Sequence, residues 1–339
     1  MNNLKKIGLT ALAGSLTMFS VSNADVTLGG SSEITYTKDS GTTAVTGNPY
    51  GMSHTITFTG TGELNNGIGY TVYSEMAGQD MVADSSYMQF DAGDLGKFGM
   101  DQGVGQYGIG TIALSIPTAY EEADHAVGVL ADGLDVTGDQ GTLGYINDIM
   151  GLNVNIEYNP TSGNAKVSQA GGNTGVGAAA AGKNLNVALK YSVPTAEGLE
   201  LRAGISATDE HTTAGSAGSA ASEDSQEMTA AVVYSYDRFK FGYQQSDIQS
   251  GIAGASGEMV TAYGVSMNVN ENLSVSYAEN ENELDVVSGA NVTEESTGIM
   301  AAYTMGSASV RVAYNEADNV NGVAAVTDEN LEISLKLSF

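Results

Sequence analysis

Leu331-Glu332-Ile333-Ser334-Leu335-Lys336-Leu337-Ser338-Phe339 ends the chain. Leu331, Ile333, Leu335, Leu337 and Phe339 alternate with Glu332, Ser334, Lys336 and Ser338. Strict alternation over nine residues predicts a β-strand with one apolar row and one polar row. An unprotected amphipathic strand at a chain end invites edge-to-edge aggregation in water. A closed barrel in a membrane removes that hazard. The strand pairs with the first one, and its apolar row faces lipid. A terminal edge strand of a soluble sandwich is the plainer alternative.

The alternation recurs in many segments of the rest of the chain. The chain of 339 residues has 44 Gly, four Pro, 17 Tyr and neither Cys nor Trp. Disulfides and thiolate metal sites are therefore excluded. After the first residues no stretch approaches about 18 unbroken apolar residues, so no spanning helix is expected. Lys5 and Lys6, the apolar run Ile7–Val21 and the small residues Ser22-Asn23-Ala24 predict an export signal over 1–24, cleaved after Ala24. Cleavage removes two of the 12 basic residues and none of the 40 acidic ones, leaving a net charge of −30. That sign excludes nucleic acid as a partner.

Taken in order, the predicted strands begin with Asp25–Thr37, Ser53–Leu64 and Ile68–Met76. Asn65-Asn66-Gly67 joins the second to the third as a tight turn. A strand near Ser85–Ala92, the turn Gly93–Gly96 and a short strand with Phe98 and Met100 follow. Gly103–Gly141 fits no strand template, and two strands lie near Thr142–Ile146 and Leu152–Asn159. The second half is more regular, from Asn184–Ser192 through Leu199–Thr208 and Gln226–Tyr236 to the closing strand. The expected total is about sixteen. Connections alternate between turns of a few residues and polar loops of about six to forty. A membrane barrel with one tight-turn rim and one long-loop rim explains that segregation. Tyr36, Tyr158, Tyr243, Tyr277 and Tyr314 fall at loop ends of apolar rows; Tyr191, Tyr236, Tyr303, Phe239 and Phe339 fall at turn ends. Two aromatic girdles are what two membrane interfaces favour.

The chain resembles the general porins of Gram-negative outer membranes. The resemblance is carried by Asp25-Val26-Thr27-Leu28-Gly29-Gly30, Gly62-Glu63-Leu64-Asn65-Asn66-Gly67, Gly93-Asp94-Leu95-Gly96-Lys97-Phe98-Gly99 and the terminal Phe339. It implies an all-β transmembrane antiparallel barrel over 25–339, a homotrimer among outer-membrane lipid and lipopolysaccharide, and passive passage of small solutes and cations. It further implies that the third long loop, here 103–140, folds inward as a constriction. Ile109, Ile112, Leu114 and Ile116 would pack that loop on the wall, and Glu121, Glu122, Asp124, Asp132, Asp135 and Asp139 would line the opening. The family sets arginines opposite such acids. Here the inward rows of the first five strands offer Glu33, Glu63, Glu75, Lys97 and Asp101, with no Arg. Inward bases lie elsewhere: Lys190, Arg202, Lys240, Arg311 and Lys336. A lumen rich in carboxylates predicts cation selectivity.

Other motifs carry less. Gly177–Asn184 mimics a phosphate-binding loop but lacks its Ser or Thr and precedes a strand pattern. His54, His125 and His211 lie in different segments, so no metal site is expected. No cofactor is expected either. Glu294-Glu295 and Asp328-Glu329 could hold Ca²⁺ weakly, with solvated loop charge as the plainer alternative. A barrel enzyme would need an activated nucleophile, and His125 beside Asp124 is its sole foothold. A substrate-specific channel and a secreted acidic adhesin complete the alternatives.

Overall fold

In a computed structural model the described residues run from 25 to 339, apart from 43, 45–46, 79–80, 114, 128–133, 135–139, 161–182, 209–223, 250–256 and 286–290. The expected signal segment 1–24, with Asp132, Asp135, Asp139, Leu114 and His211, lies outside them.

Sixteen antiparallel strands close into one barrel. They are β1 (Asp25–Gly41), β2 (Tyr50–Glu63), β3 (Gly69–Ala77), β4 (Val82–Asp91), β5 (Lys97–Gln102), β6 (Gln140–Ile149), β7 (Leu152–Asn159) and β8 (Asn184–Ser192). The second half comprises β9 (Leu199–Thr208), β10 (Ser225–Tyr236), β11 (Phe239–Gln249), β12 (Gly257–Asn268), β13 (Leu273–Asp285), β14 (Val292–Met305), β15 (Ala308–Asp318) and β16 (Thr327–Ser338). Each strand pairs with its sequence neighbours, and β1 pairs with β16. Helix among the described residues is limited to three short 3₁₀ turns.

The terminal strand closes the barrel against β1 as expected, with Glu33 opposite Lys336 and Thr35 opposite Ser334. Phe339 adds the last rung: its N–H donates to Gly30 O at 3.0 Å and its carbonyl accepts from Gly30 N at 3.1 Å. Gly30 gives the ring room, since a Cβ there would lie 2.7 Å from Phe339 Cζ.

Burial is inverted relative to a soluble protein. Ile333, Leu335 and Leu337 are 40–50% exposed, whereas Ser334 between them is 1% exposed. Backbone polarity is spent in the ladder, so apolar rows can face hydrocarbon without stranded N–H or C=O groups. Tyr236, Tyr303, Phe239 and Phe339 lie outward at the turn ends, whereas Tyr243, Tyr277 and Tyr314, expected at loop ends, lie outward near the middle of strands that run on beyond them. Tight turns such as 150–151, 237–238 and 306–307 mark one rim. The other rim carries the long connections, with one departure: β3 joins β4 through residues 78–81 only.

The apolar core lies inside the barrel, between the loop after β5 and the wall. Ile109, Ile112 and Leu134 pack with Ala188. Ile116 and Ala123 pack with Ala262, Ala278, Met300 and Ala313. Val127 packs with Ala317 and Val320.

Candidate functional site

The described part of the β5–β6 loop follows the inner wall through most of the barrel's circumference. It starts at Asp101, which is 2% exposed and accepts the N–H groups of Val104 at 2.7 Å and Gln106 at 2.8 Å. Expected on the pore wall, Asp101 instead folds the first turn of the loop. Tyr107 then lies flat against β5 and β6. A Cβ on Gly144 would sit 2.0 Å from its ring, and Gln89 donates to its hydroxyl at 3.1 Å. Burial pushes this phenol up, and the Gln89 bond partly offsets it.

From there one polar side chain on each of several strands meets the loop backbone. Asn155 of β7 accepts from Gly108 N at 2.8 Å and donates to Gln106 O at 3.2 Å. Asn186 of β8 accepts from Ile109 N at 2.8 Å. Gln244 of β11 accepts from Ser115 N and donates to Ala113 O, both at 2.6 Å. Ser276 of β13 accepts from Ala119 N at 2.8 Å. Asn315 of β15 donates to Glu122 O at 3.0 Å and His125 O at 2.9 Å. Small inward residues leave the space. A Cβ on Gly242 would lie 2.5 Å from Pro117, and one on Gly264 2.6 Å from Ile116. Burying an irregular backbone requires partners for its N–H and C=O groups, and these side chains provide them.

The charged residues gather where the loop reaches β15, β16 and β1. Arg311 of β15 donates to Glu33 of β1, and Ser334 donates to the same carboxylate at 2.6 Å. The Arg311 guanidinium lies 4.2 Å over the Tyr120 ring, whose hydroxyl donates to Glu332 and, at 3.3 Å, to Glu33. His125 stands between two carboxylates, with Nδ1 3.5 Å from Glu121 and Nε2 3.4 Å from Glu332. The hydrogen bond to Glu332 raises its pKa above the ordinary histidine value; burial opposes this and the Glu121 charge reinforces it. Burial, with the bond to Glu332, pushes the Tyr120 phenol up and keeps it protonated.

The remaining sequence-predicted residues are more dispersed. Arg202 of β9 pairs with Glu200 at 2.6 Å and donates to Ser115 Oγ of the loop at 3.2 Å. Lys97 pairs with Asp91 at 3.6 Å, both about half exposed. Glu75 accepts from Tyr73 on its own strand. Lys336 is half-buried opposite Glu33 in register. Glu122 and Asp124 lie on the loop beside the cluster, Asp124 buried. Arg202 and Arg311 thus both contact the loop. Asn155, Asn186, Gln244, Ser276 and Asn315 are not among the site residues expected from the sequence. Their signal is an amide or hydroxyl on an inward row, for Asn155, Gln244 and Asn315 opposite a Gly or Ala of a neighbouring strand.

The sequence model of one family, described as Gram-negative porin, matches residues 8–336. Curated protein sequences give no match. Among solved structures, the outer membrane protein OmpT of Vibrio cholerae superposes with TM-score 0.68 at 12% identity, covering 93% of this chain and 98% of that one. OmpF of Salmonella typhi, in complex with daunomycin, gives 0.68 at 14% identity over 93% and 97%. An anion-selective porin from Comamonas acidovorans gives 0.64 at 14% identity over 94% and 100%. At these identities the likeness concerns the fold.

Proposed function

The chain belongs to the Gram-negative porin family and is an outer-membrane β-barrel forming a diffusion channel, and from that premise we propose that it is a general, cation-selective pore narrowed by residues 103–140. The observation that carries the reading is the loop backbone held to β7, β8, β11, β13 and β15 by Asn155, Asn186, Gln244, Ser276 and Asn315. A loop fixed at this number of points along the inner wall narrows the lumen as a standing constriction. It sets a size limit for small hydrophilic solutes that diffuse down their gradients.

Charge sorts the ions. The full chain carries a formal net charge of −28. Of the inward bases, Arg311 is matched by Glu33 and Arg202 by Glu200. Glu121 and Glu122, with Asp124 beside them, then weight the loop toward negative potential, which concentrates cations and repels anions. Asp132 and Asp135 belong to the same proposal on sequence alone. Assembly is proposed as a homotrimer embedded in lipid and lipopolysaccharide; one solved form of Vibrio cholerae OmpT is described as a trimer. No chemical step is required. Both ring nitrogens of His125 face carboxylates, which suits a clamp more than a base activating a nucleophile.

The test is reversal potential across a planar bilayer under a KCl gradient. The expected sign is that of K⁺ preference, with conductance closing in three equal steps per insertion event. Chloride preference would overturn the selectivity, and single-step closure the trimer.

A further inference from the structure

We propose that Glu121, His125 and Glu332 form a binding site for a divalent first-row transition ion of the zinc class, tying the inner loop to the terminal strand. Each residue offers one ligand atom, and these atoms lie within 4.8 Å of one another. The histidine–carboxylate approaches are 3.5 Å at Nδ1 and 3.4 Å at Nε2, and either one taken singly matches an edge of a tetrahedron about zinc, about 3.3–3.6 Å for bonds of about 2.0–2.2 Å. Only one ring nitrogen can ligate, so one carboxylate must rotate inward by about an ångström or two, well within a glutamate's reach.

The donor set selects the ion. Imidazole with two carboxylates suits Zn²⁺, Ni²⁺ or Cu²⁺. Ca²⁺ requires six to eight oxygens, and Mg²⁺ holds its water too firmly to favour a nitrogen. Three protein ligands leave a position for water, and the cluster is partly open, with His125 and Glu121 side chains about one-third exposed.

The surroundings already hold the ligands. Tyr120 donates to Glu332, the outer contact that orients a ligating carboxylate. Asn315 fixes the carbonyls of Glu122 and His125, and so the turn that carries the imidazole. Glu121 and His125 are four residues apart on that turn, whereas Glu332 comes from β16. A bound ion would therefore cross-link the loop to the wall at the barrel seam. The binding itself does not depend on the permeation reading.

The experiment is calorimetric titration of the folded, detergent-solubilised protein with ZnCl₂ in excess MgCl₂, with Co²⁺ absorption as a second readout. Fold is checked by the heat-dependent gel shift. The expected result is one saturable ion per chain, a tetrahedral Co²⁺ band, and affinity at least about tenfold weaker in His125→Gln and in the more exposed variant Glu121→Gln. Absence of saturable binding would overturn the site. So would binding of equal strength in folded His125→Gln, which would assign the ion to surface carboxylates.

Discussion

Gln244→Met tests the docking of the loop most directly. The substitution keeps length and bulk but removes the amide. Gln244 is 2% exposed and holds Ser115 N–H and Ala113 C=O at 2.6 Å each. Ala113 is half-buried, so water replaces the lost donor there at little cost. Ser115 is 4% exposed, so its N–H is stranded. An unsatisfied buried donor costs about 1–3 kcal/mol. Applied to the docked state, that raises the ratio of locally released to docked loop by about 5- to 150-fold, at about 1.4 kcal/mol per decade. Asn155, Asn186, Ser276 and Asn315 still hold their segments, so release is confined to the stretch around 112–118. Hydrogen exchange followed by mass spectrometry should show faster exchange there by that factor, with protection unchanged in β11 itself. Open-channel noise in planar bilayers should rise together with it. Unchanged exchange at Ser115 in a folded variant would refute the docking role of Gln244 and the energetics assigned to it.

Three further outcomes are expected. Arg311→Gln removes a lumen cation and leaves Glu33 with only its Ser334 and Tyr120 donors, at a cost of about 1–3 kcal/mol in local stability, and the reversal potential should move further toward K⁺. Gly144→Val places a side chain where the Tyr107 ring lies, 2.0 Å from its Cγ even at the Cβ, so the ring must leave and single-channel conductance should change by more than in Gln244→Met. Deleting Phe339 removes two backbone bonds to Gly30 at the barrel seam, and the temperature of the heat-dependent gel shift should fall, with fewer chains inserted into the outer membrane.

The barrel is legible in the sequence because its two signals are local. Alternation is fixed by neighbours in the chain, and turn length by the few residues between strands. Strand ends are less legible on the loop side. β13 runs to Asp285, but its outward row changes from Leu273, Val275 and Tyr277 to Glu279, Glu281 and Glu283. Alternation reports the solvent each row meets, so it fades where the strand rises out of hydrocarbon although the ladder continues. β1 likewise extends to Gly41, past the expected Thr37, with Lys38 and Ser40 on the same row as Ile34 and Tyr36. The site is poorly legible for another reason. His125 and Glu332 are 207 positions apart, and Ser115 and Gln244 are 129 apart. Only barrel closure brings them together. Asp101 shows the converse limit: its inward position was readable, but its capture by two loop amides depends on a turn with no periodic signal.

The chemistry of the docking residues follows from what the barrel has already used. Strand N–H and C=O groups are committed to the ladder, so the loop groups that its own short turns leave unpaired must find their partners among side chains. A carboxylate could accept from the loop but not donate to it, and an ammonium could donate but not accept. An amide does both, and Asn155 and Gln244 each use both ends on the loop backbone. Neutral anchors also leave the electrostatics of the lumen to other residues. Charge is instead concentrated where the loop crosses the barrel seam, at Glu121, His125, Glu332, Arg311 and Glu33. Within Leu331–Phe339, the odd positions face lipid while Ser334 meets Arg311 and Glu33, and the adjoining Glu332 meets the loop. The seam strand thereby joins barrel closure to the geometry of the pore, so a change to its inward row should alter conductance before it alters insertion.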